Sequence, residues 1–299
     1  MNKPFSRIAL IGKVEDARVA DSMVTLAQHL CARGLTVRID RDALVAGLPD
    51  GIVRRPIAEL GDDTDLIVAI GGDGTMLFAA QLALGRSVPL LGINRGRLGF
   101  LTDVSPEEMI GNFDVVLEGR YETDVRQLLD ARLTHADGRD SKYRALNDIV
   151  VQRHESGRMV ELETWIDDCF VNAHGGDGLV IASSTGSTAY ALSCGGPIIH
   201  PALGAVVIAP IAPHTLSDRP IVVSRDSRIE VRLIMRSAAR AQITCDGVLL
   251  GDLEARSRLL IEPANEVITL LHPPGHDYFR LLRSKLHWGR SGRTGGAES

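Results

Sequence analysis

Residues Ile70-Gly71-Gly72-Asp73-Gly74-Thr75-Met76-Leu77 set three glycines around one carboxylate. An apolar run, Asp65–Ile70 (DLIVAI), enters this stretch, and Thr75–Leu84 (TMLFAAQLAL) leaves it with helical spacing. The pattern predicts strand, glycine turn and helix. Glycine lets a ligand approach the backbone closely, and the free amides of a helix N-terminus attract an anion. A carboxylate beside bound phosphates does not bind them; it is placed to accept a proton or to sit near Mg2+. The chemistry this suggests is phosphoryl transfer to a hydroxyl. A bare turn with Asp73 as a helix cap explains the acid but not the three glycines.

Three further patches carry polar groups in loop or strand-end settings. Asn94–Leu101 (NRGRLGFL) follows a strand, and its glycines allow a ligand-facing loop; an ordinary surface turn is the plain alternative. In Leu146-Asn147-Asp148-Ile149-Val150 two short polar side chains interrupt an apolar strand, which for an isolated pair reads as a strand edge or bulge. Gly176-Asp177-Gly178 precedes Thr185-Gly186-Ser187-Thr188-Ala189-Tyr190, a turn-to-helix junction with amides, hydroxyls and one aromatic face. Such a junction suits a phosphate or ribose with an adenine nearby, or simply a capped helix start. His154-Glu155 reads as a solvated turn, and His214 and His276 as structural or exposed. There is no GxxxxGK[ST], no N-terminal GxGxxG, no HExxH and no CxxC, which sets aside P-loop, dinucleotide-fold and zinc chemistry.

The elements that must position these patches fall into two halves. Arg7–Ile11, Leu35–Ile39, Asp65–Ile70 and Val88–Gly92 read as strands, and Ala17–Ala32 as an amphipathic helix ended by Gly34. Their alternation implies a parallel, Rossmann-like sheet with ligands at the carboxyl ends of its strands. From about Tyr121 the pattern changes. Asp124–Thr134, Tyr143–Gln152, Val160–Ile166, Ile221–Val223, Arg228–Met235, Ala241–Cys245 and Arg258–Ile261 alternate or are rich in Val, Ile and Thr, as in an antiparallel all-β domain. The reading is an α/β domain over 1–120 and a β domain over 121–277. The basic, amphipathic Asp277–Trp288 begins a tail, 278–299, that packs back on the first domain. With 299 residues, 44% hydrophobic content and a net charge of −5, the chain can bury a sizeable core and presents no nucleic-acid or membrane surface. Four scattered cysteines and no signal peptide favour a reducing cytoplasm.

Taken together, the patches make the chain resemble the bacterial NAD kinases along nearly its full length, from Ile11-Gly12-Lys13 to Lys285-Leu286-His287-Trp288. GGDGT is shared with lipid kinases; its combination with Asn94–Leu101, Asn147-Asp148 and Thr185–Pro201 (TGSTAYALSCGGPIIHP) is specific. The resemblance implies transfer of the ATP γ-phosphate to the 2′-hydroxyl of the adenosine ribose of NAD, with a divalent cation, Mg2+, travelling with ATP rather than held in a protein cage. It implies Asp73 as the base, with Gly71, Gly72, Thr75, Thr185, Gly186 and Ser187 on the phosphate and ATP side. Gly74, Asn147, Asp148, Arg158, Gly175, Asp177 and Thr188-Ala189-Tyr190-Ala191-Leu192-Ser193 are implied to bind NAD, with Tyr190 as the stacking face. It further implies a homodimer or homotetramer.

The chain departs from the family pattern at four points. Asp148 stands where Asn-Glu is usual, and Ala182-Ser183-Ser184 where Ser-Thr-Pro is common. Gly175 replaces a basic side chain, and Asp246-Gly247-Val248 lacks the usual glutamine. Two other classes compete. A lipid or sphingoid-base kinase would need an apolar substrate cleft, and an NAD(P)-binding sensor would have no need of Asp73.

Overall fold

The computed structural model describes residues 5–96, 99–154, 159–234 and 240–288. It separates into two compact units: one holds the described residues up to Asp124 and from Leu270 onward, the other Val125–Thr269. Arg158, Arg97, Leu98, Glu155, Met235 and 289–299 lie outside the described residues.

In the first unit the chain runs β1 (Arg7–Gly12), α1 (Ala17–Ala32), β2 (Thr36–Asp40), β3 (Val53–Arg55), β4 (Leu66–Gly71), α2 (Asp73–Ala83), β5 (Leu90–Asn94) and α3 (Met109–Leu117). The strands form a parallel sheet in the order β3-β2-β1-β4-β5. Every residue of β4 is buried, which is why its sequence is a continuous apolar run rather than an alternating one. The Asp16 carboxylate accepts the Arg18 amide at the start of α1. That helix then lays Val19, Met23, Leu26 and Leu30 at helical spacing onto Ile8, Leu10, Val37 and Val68.

The second unit continues with β6 (Glu122–Thr134), β7 (Asp140–Ala145), β8 (Asp148–Arg153), β9 (Val160–Ile166), β10 (Cys169–Gly176) and β11 (Gly178–Ser183). A turn of 3-10 helix (Gly186–Thr188) and the short α4 (Tyr190–Ser193) precede β12 (Ala205–Ile211), β13 (Ile221–Ser224), β14 (Ile229–Leu233), β15 (Ala241–Cys245), β16 (Val248–Leu253) and β17 (Arg258–His272). One antiparallel sheet runs β13-β12-β11-β8-β15-β16. It shares a core with β6, β9, β14 and β17 through Leu129, Leu133, Ile149, Val151, Leu162, Ile181, Val231, Ile243 and Ile261. The other face of that sheet is covered at Val180, Val207 and Ala209 by Ala191 of α4. The α/β-plus-β fold class read from the sequence is the one observed. Two segments differ by more than a residue or two at their ends. Tyr143–Gln152 is two strands, broken at Leu146-Asn147, and Arg258–Ile261 extends to His272. The last residues of β17 pair with β5 in the first unit (Leu270 with Leu90).

At the end of β17 and just beyond it, Asp103 ties the chain down. Asp103 Oδ2 lies 3.0 Å from Nδ1 of His272 and 2.6 Å from Nδ1 of His276, with the two rings stacked at 3.8 Å and 19°. Both ring nitrogens converge on that one oxygen, so this is a doubly hydrogen-bonded carboxylate. Burial opposes ionisation of Asp103, but the bonds from His272 and His276 outweigh it and hold the carboxyl well below the usual range. Burial also opposes the His272 charge, yet Asp103 and Asp124, 3.7 Å from its Nε2, push its pKa up to about 9. From Asp277, whose carboxylate caps the next helix, the chain enters α5 (Tyr278–Leu286).

A raised folded-state pKa stabilises fully below the unfolded value near 6.5 and ceases to do so as pH rises through about 9. Thermal melts will therefore show Tm falling between about pH 6.5 and about 9, and His272→Gln will flatten that slope.

Candidate active site

In the first unit the glycine turn sits between the end of β4 and the start of α2. Gly72 occupies the N-cap position with no side-chain cap, so the first amides of the helix are left to a ligand. A Cβ at Gly71 would meet Thr75 Oγ1 at 2.3 Å, whereas at Gly72 or Gly74 it would meet nothing within 4 Å. Close packing demands the first glycine, and the other two face open space. Asp73 does not cap its own helix. Its Oδ2 accepts the Phe100 amide and its Oδ1 the Leu101 amide, both at 2.9 Å. The loop after β5 thus reaches back to grip the acid. Gly99 is essential to that approach, because a Cβ there would lie 2.1 Å from Asp73 Oδ1 and 2.4 Å from Thr102 Oγ1. Asn94 braces the loop from below: its amide nitrogen donates to Thr102 Oγ1 (3.2 Å), and its Oδ1 accepts from Gly96 (2.7 Å).

In the second unit the break between β7 and β8 has a specific cause. Asp246, in left-handed backbone (φ 48) at the β15–β16 turn, accepts three successive amides: Leu146 (2.7 Å), Asn147 (2.8 Å) and Asp148 (3.1 Å). Asn147 is held from the other side, where its carbonyl accepts the Ser183 amide at 2.9 Å. The same carbonyl would lie 2.1 Å from a Cβ on Gly186. Asp148 is buried, and burial together with the Asp246 charge pushes its carboxyl up to about 7 against an opposing Tyr190 backbone hydrogen bond. Burial likewise raises Asp246, despite its three amides.

The remaining sequence-derived residues of this unit divide into supports and exposed groups. Ser187 is fully buried, donates to the Ser184 carbonyl (2.7 Å) and accepts from the Ile199 amide (3.0 Å). Thr185 is buried and accepts from Arg126 at 3.3 Å. These two hydroxyls shape the loop around Gly186. Thr188, Ala189 and Leu192 are half-buried, Tyr190 and Ser193 are exposed, and Ala191 is core. Asp177 pairs with Arg153 at 3.1 Å. Gly175 has room for a side chain, the nearest atom to a Cβ being Met159 Sδ at 3.9 Å. The sequence reads the glycines of Asn94–Leu101 as allowing a ligand-facing loop, but it misses the grip on Asp73, Arg153 and the role of Asp246; of these only the Asp246-Gly247 turn carries a local signal.

An ungated anion site at a helix start, with a carboxylate fastened beside it, defines a phosphotransferase class of site on an α/β-plus-β fold. Comparison with known proteins identifies the family. Residues 50–121 match the ATP-NAD kinase N-terminal domain and residues 146–272 the ATP-NAD kinase C-terminal domain. The chain is 42% identical over 98% of its length to the NAD kinase of Aromatoleum aromaticum, covering 97% of that protein. It is 44% identical over 97% of its length to that of Thiobacillus denitrificans, covering 99% of it. Among solved structures, an Archaeoglobus fulgidus NAD kinase in complex with ATP is similar with a TM-score of 0.71 and 28% identity, over 94% of this chain and 98% of that one. Yeast NADH kinase complexed with NADH has the same fold, with a TM-score of 0.90 at 24% identity over 99% of this chain and 91% of that one. The chain belongs to the NAD kinase family, enzymes that phosphorylate NAD, and the lipid-kinase and sensor readings fall away.

Gly99→Ala will displace the loop from Asp73 and lower kcat by about a hundredfold in NADP-formation assays, with far-UV circular dichroism unchanged. An Asp with a raised folded-state pKa destabilises progressively as pH rises from its unfolded value near 3.8 to about 7 and fully above that. Asp148→Asn will therefore raise Tm most above about pH 7 and change it little at or below about pH 4, as read by differential scanning fluorimetry.

Proposed function

We propose that the γ-phosphate of ATP passes to the 2′-hydroxyl of the adenosine ribose of NAD, with Asp73 accepting the hydroxyl proton. One observation carries this assignment. The Asp73 carboxylate is oriented by two backbone amides on the loop after β5, at the mouth of a helix whose own amides and flanking glycines remain open. A capping aspartate would spend its oxygens on its own helix. This one is held rigidly for a reacting atom, and rigid placement is the larger part of what phosphoryl transfer asks of a protein.

Asn147 and Asp148 hold the ribose and phosphate region of NAD, and Asp177 its nicotinamide half. Gly74, Gly175 and Thr188–Ser193 complete the NAD contacts, with Tyr190 offering its ring to the adenine. Gly71, Gly72, Thr75 and the Thr185–Ser187 loop serve the phosphate side. For the two buried hydroxyls of that loop the service is indirect: they set the backbone, which presents the amides.

Each Asp73 oxygen takes one amide and keeps a lone pair, so a single carboxylate remains for a cation that arrives on the donor phosphates. That donor set fits Mg2+, which retains most of its waters, and not a dedicated protein cage. When bound, the ion neutralises charge on the transferring phosphoryl group. The α2 amides bind the donor oxygens, and Asp73 receives the proton at whichever oxygen faces the hydroxyl. We place the activity in the reducing cytoplasm, where Cys31, Cys169, Cys194 and Cys245 stay as thiols. No helix among the described residues is long and apolar enough to cross a membrane. A homodimer or homotetramer completes this reading, and the exposed Phe170 and Val171 on β10 offer apolar surface for self-association.

Asp73→Asn keeps one of the two amide contacts through its remaining oxygen and cannot take the proton. NADP formation from NAD, ATP and Mg2+ will fall by about a thousandfold, while NAD binding by calorimetry stays within about twofold of wild type. Retained turnover in this variant would remove the assigned role.

A further inference from the structure

The loop that grips Asp73 is itself held from the far end of the chain. Phe100 and Leu101 give their amides to the Asp73 carboxylate. Two residues later Asp103 meets His272, the last residue of β17, and His276 in the turn beyond it. At the other end of this short stretch, Lys285 of α5 places its Nζ 5.3 Å from the centre of the Phe100 ring. Three side chains of the C-terminal segment thus bear on Phe100–Asp103, where the two gripping amides lie.

These three side chains stand on firm supports. His272 follows Leu270 and Leu271, which pair with Leu90 and Leu91 of β5. The turn that carries His276 is pinned by Glu122, whose Oε1 accepts the Gly275 amide at 2.9 Å. Helix α5 is seated by the buried Leu281 and Leu282. The loop has less of its own. A Cβ at Gly92 would lie 2.7 Å from the Leu101 carbonyl, so the loop lies directly on β5 with no side chain between them. Asn94 fastens only the base, where its amide donates to the Val104 carbonyl at 2.8 Å and its side chain bonds Thr102. Packing does not replace the polar contacts either. A cavity of about 630 Å3, walled by Asp103, Val115, Pro273, Pro274 and His276, opens between the turn and α3.

We propose that the C-terminal segment is a positioning element for the reaction: His272 and His276 through Asp103, and Lys285 through Phe100, fix the two amides that orient the Asp73 carboxylate. The proposal rests on Asp73 being the proton acceptor, as in the function proposed above. The three side chains act through other residues, so their loss falls on kcat and leaves both KM values in place. A released loop frees the carboxylate to turn toward the open amides of its own helix, where it no longer faces the hydroxyl.

His276→Ala removes one of the two bonds to Asp103, and His276→Asn keeps a donor close to the place of Nδ1. Lys285→Ala leaves the carboxylate contacts intact and serves if His276→Ala does not fold. In NADP-formation assays, kcat is expected to fall about tenfold in His276→Ala and about threefold in Lys285→Ala, with KM for NAD and ATP within about twofold of wild type. His276→Asn is expected to recover most of the loss. In an Asp73→Asn background, where no carboxylate remains to be oriented, His276→Ala and Lys285→Ala are expected to leave the residual kcat unchanged. Hydrogen–deuterium exchange read by mass spectrometry is expected to quicken at Phe100 and Leu101 in both variants. Equal losses in the two backgrounds, losses carried by KM, or unchanged kcat and exchange would overturn the positioning role. Retained turnover in Asp73→Asn alone would instead count against the proposed function, and the exchange arm would still decide whether the C-terminal segment holds this loop.

Discussion

The grip of two loop amides on the Asp73 carboxylate is the constraint on which the first unit depends. An acid at the open N-terminus of a helix has an easy alternative, which is to turn inward and bond the helix's own amides. Here Phe100 and Leu101 satisfy it from outside, one on each oxygen, so the glycine-flanked amides of α2 remain for an anion. Much of the surrounding structure serves that contact. Gly99 permits the approach, Asn94 and Thr102 brace the loop, and Asp103 anchors its far end to His272 and His276. A buried ion pair of this kind adds little net stability against an apolar alternative, so its value here is in placing the loop.

The second unit solves a related problem with the charges reversed in role. Asp246 is spent on three backbone amides. In doing so it interrupts the chain between β7 and β8 at Leu146-Asn147. The cost is a second buried acid close by, and Asp148 answers it with a carboxyl pushed up to about 7. At neutral pH Asp148 is therefore poised between accepting and donating. A longer glutamate at this position could move its charge away from Asp246; the shorter aspartate keeps it near.

Much of the architecture was legible from pattern. Ala17–Ala32 carries its apolar residues at helical spacing and behaves accordingly, and the buried run before Gly71 is a central parallel strand. β10, β11, β12 and β16 were less visible. β11 is buried at every position and too short for a period to show, and β10 carries exposed Phe170 and Val171 that blur its alternation. The interruption at Leu146-Asn147-Asp148 shows in the sequence as a strand edge or bulge, but the group that causes the break lies about a hundred residues away in the chain and is invisible there.

By itself the sequence determined the fold class and the chemical identity of the acid, which follow from an apolar run, three glycines, one aspartate and a helical spacing, and the family through the resemblance of its combined motifs. What only the tertiary structure decided was which way that acid faces and what holds it. Hydrogen bonds to Phe100 and Leu101, the clearance at Gly99, the Asp246 cradle and the raised carboxyl of Asp148 all join residues far apart in the chain. Local sequence encodes propensity and chemistry, whereas direction, burial and dielectric arise from contacts that no window along the chain contains.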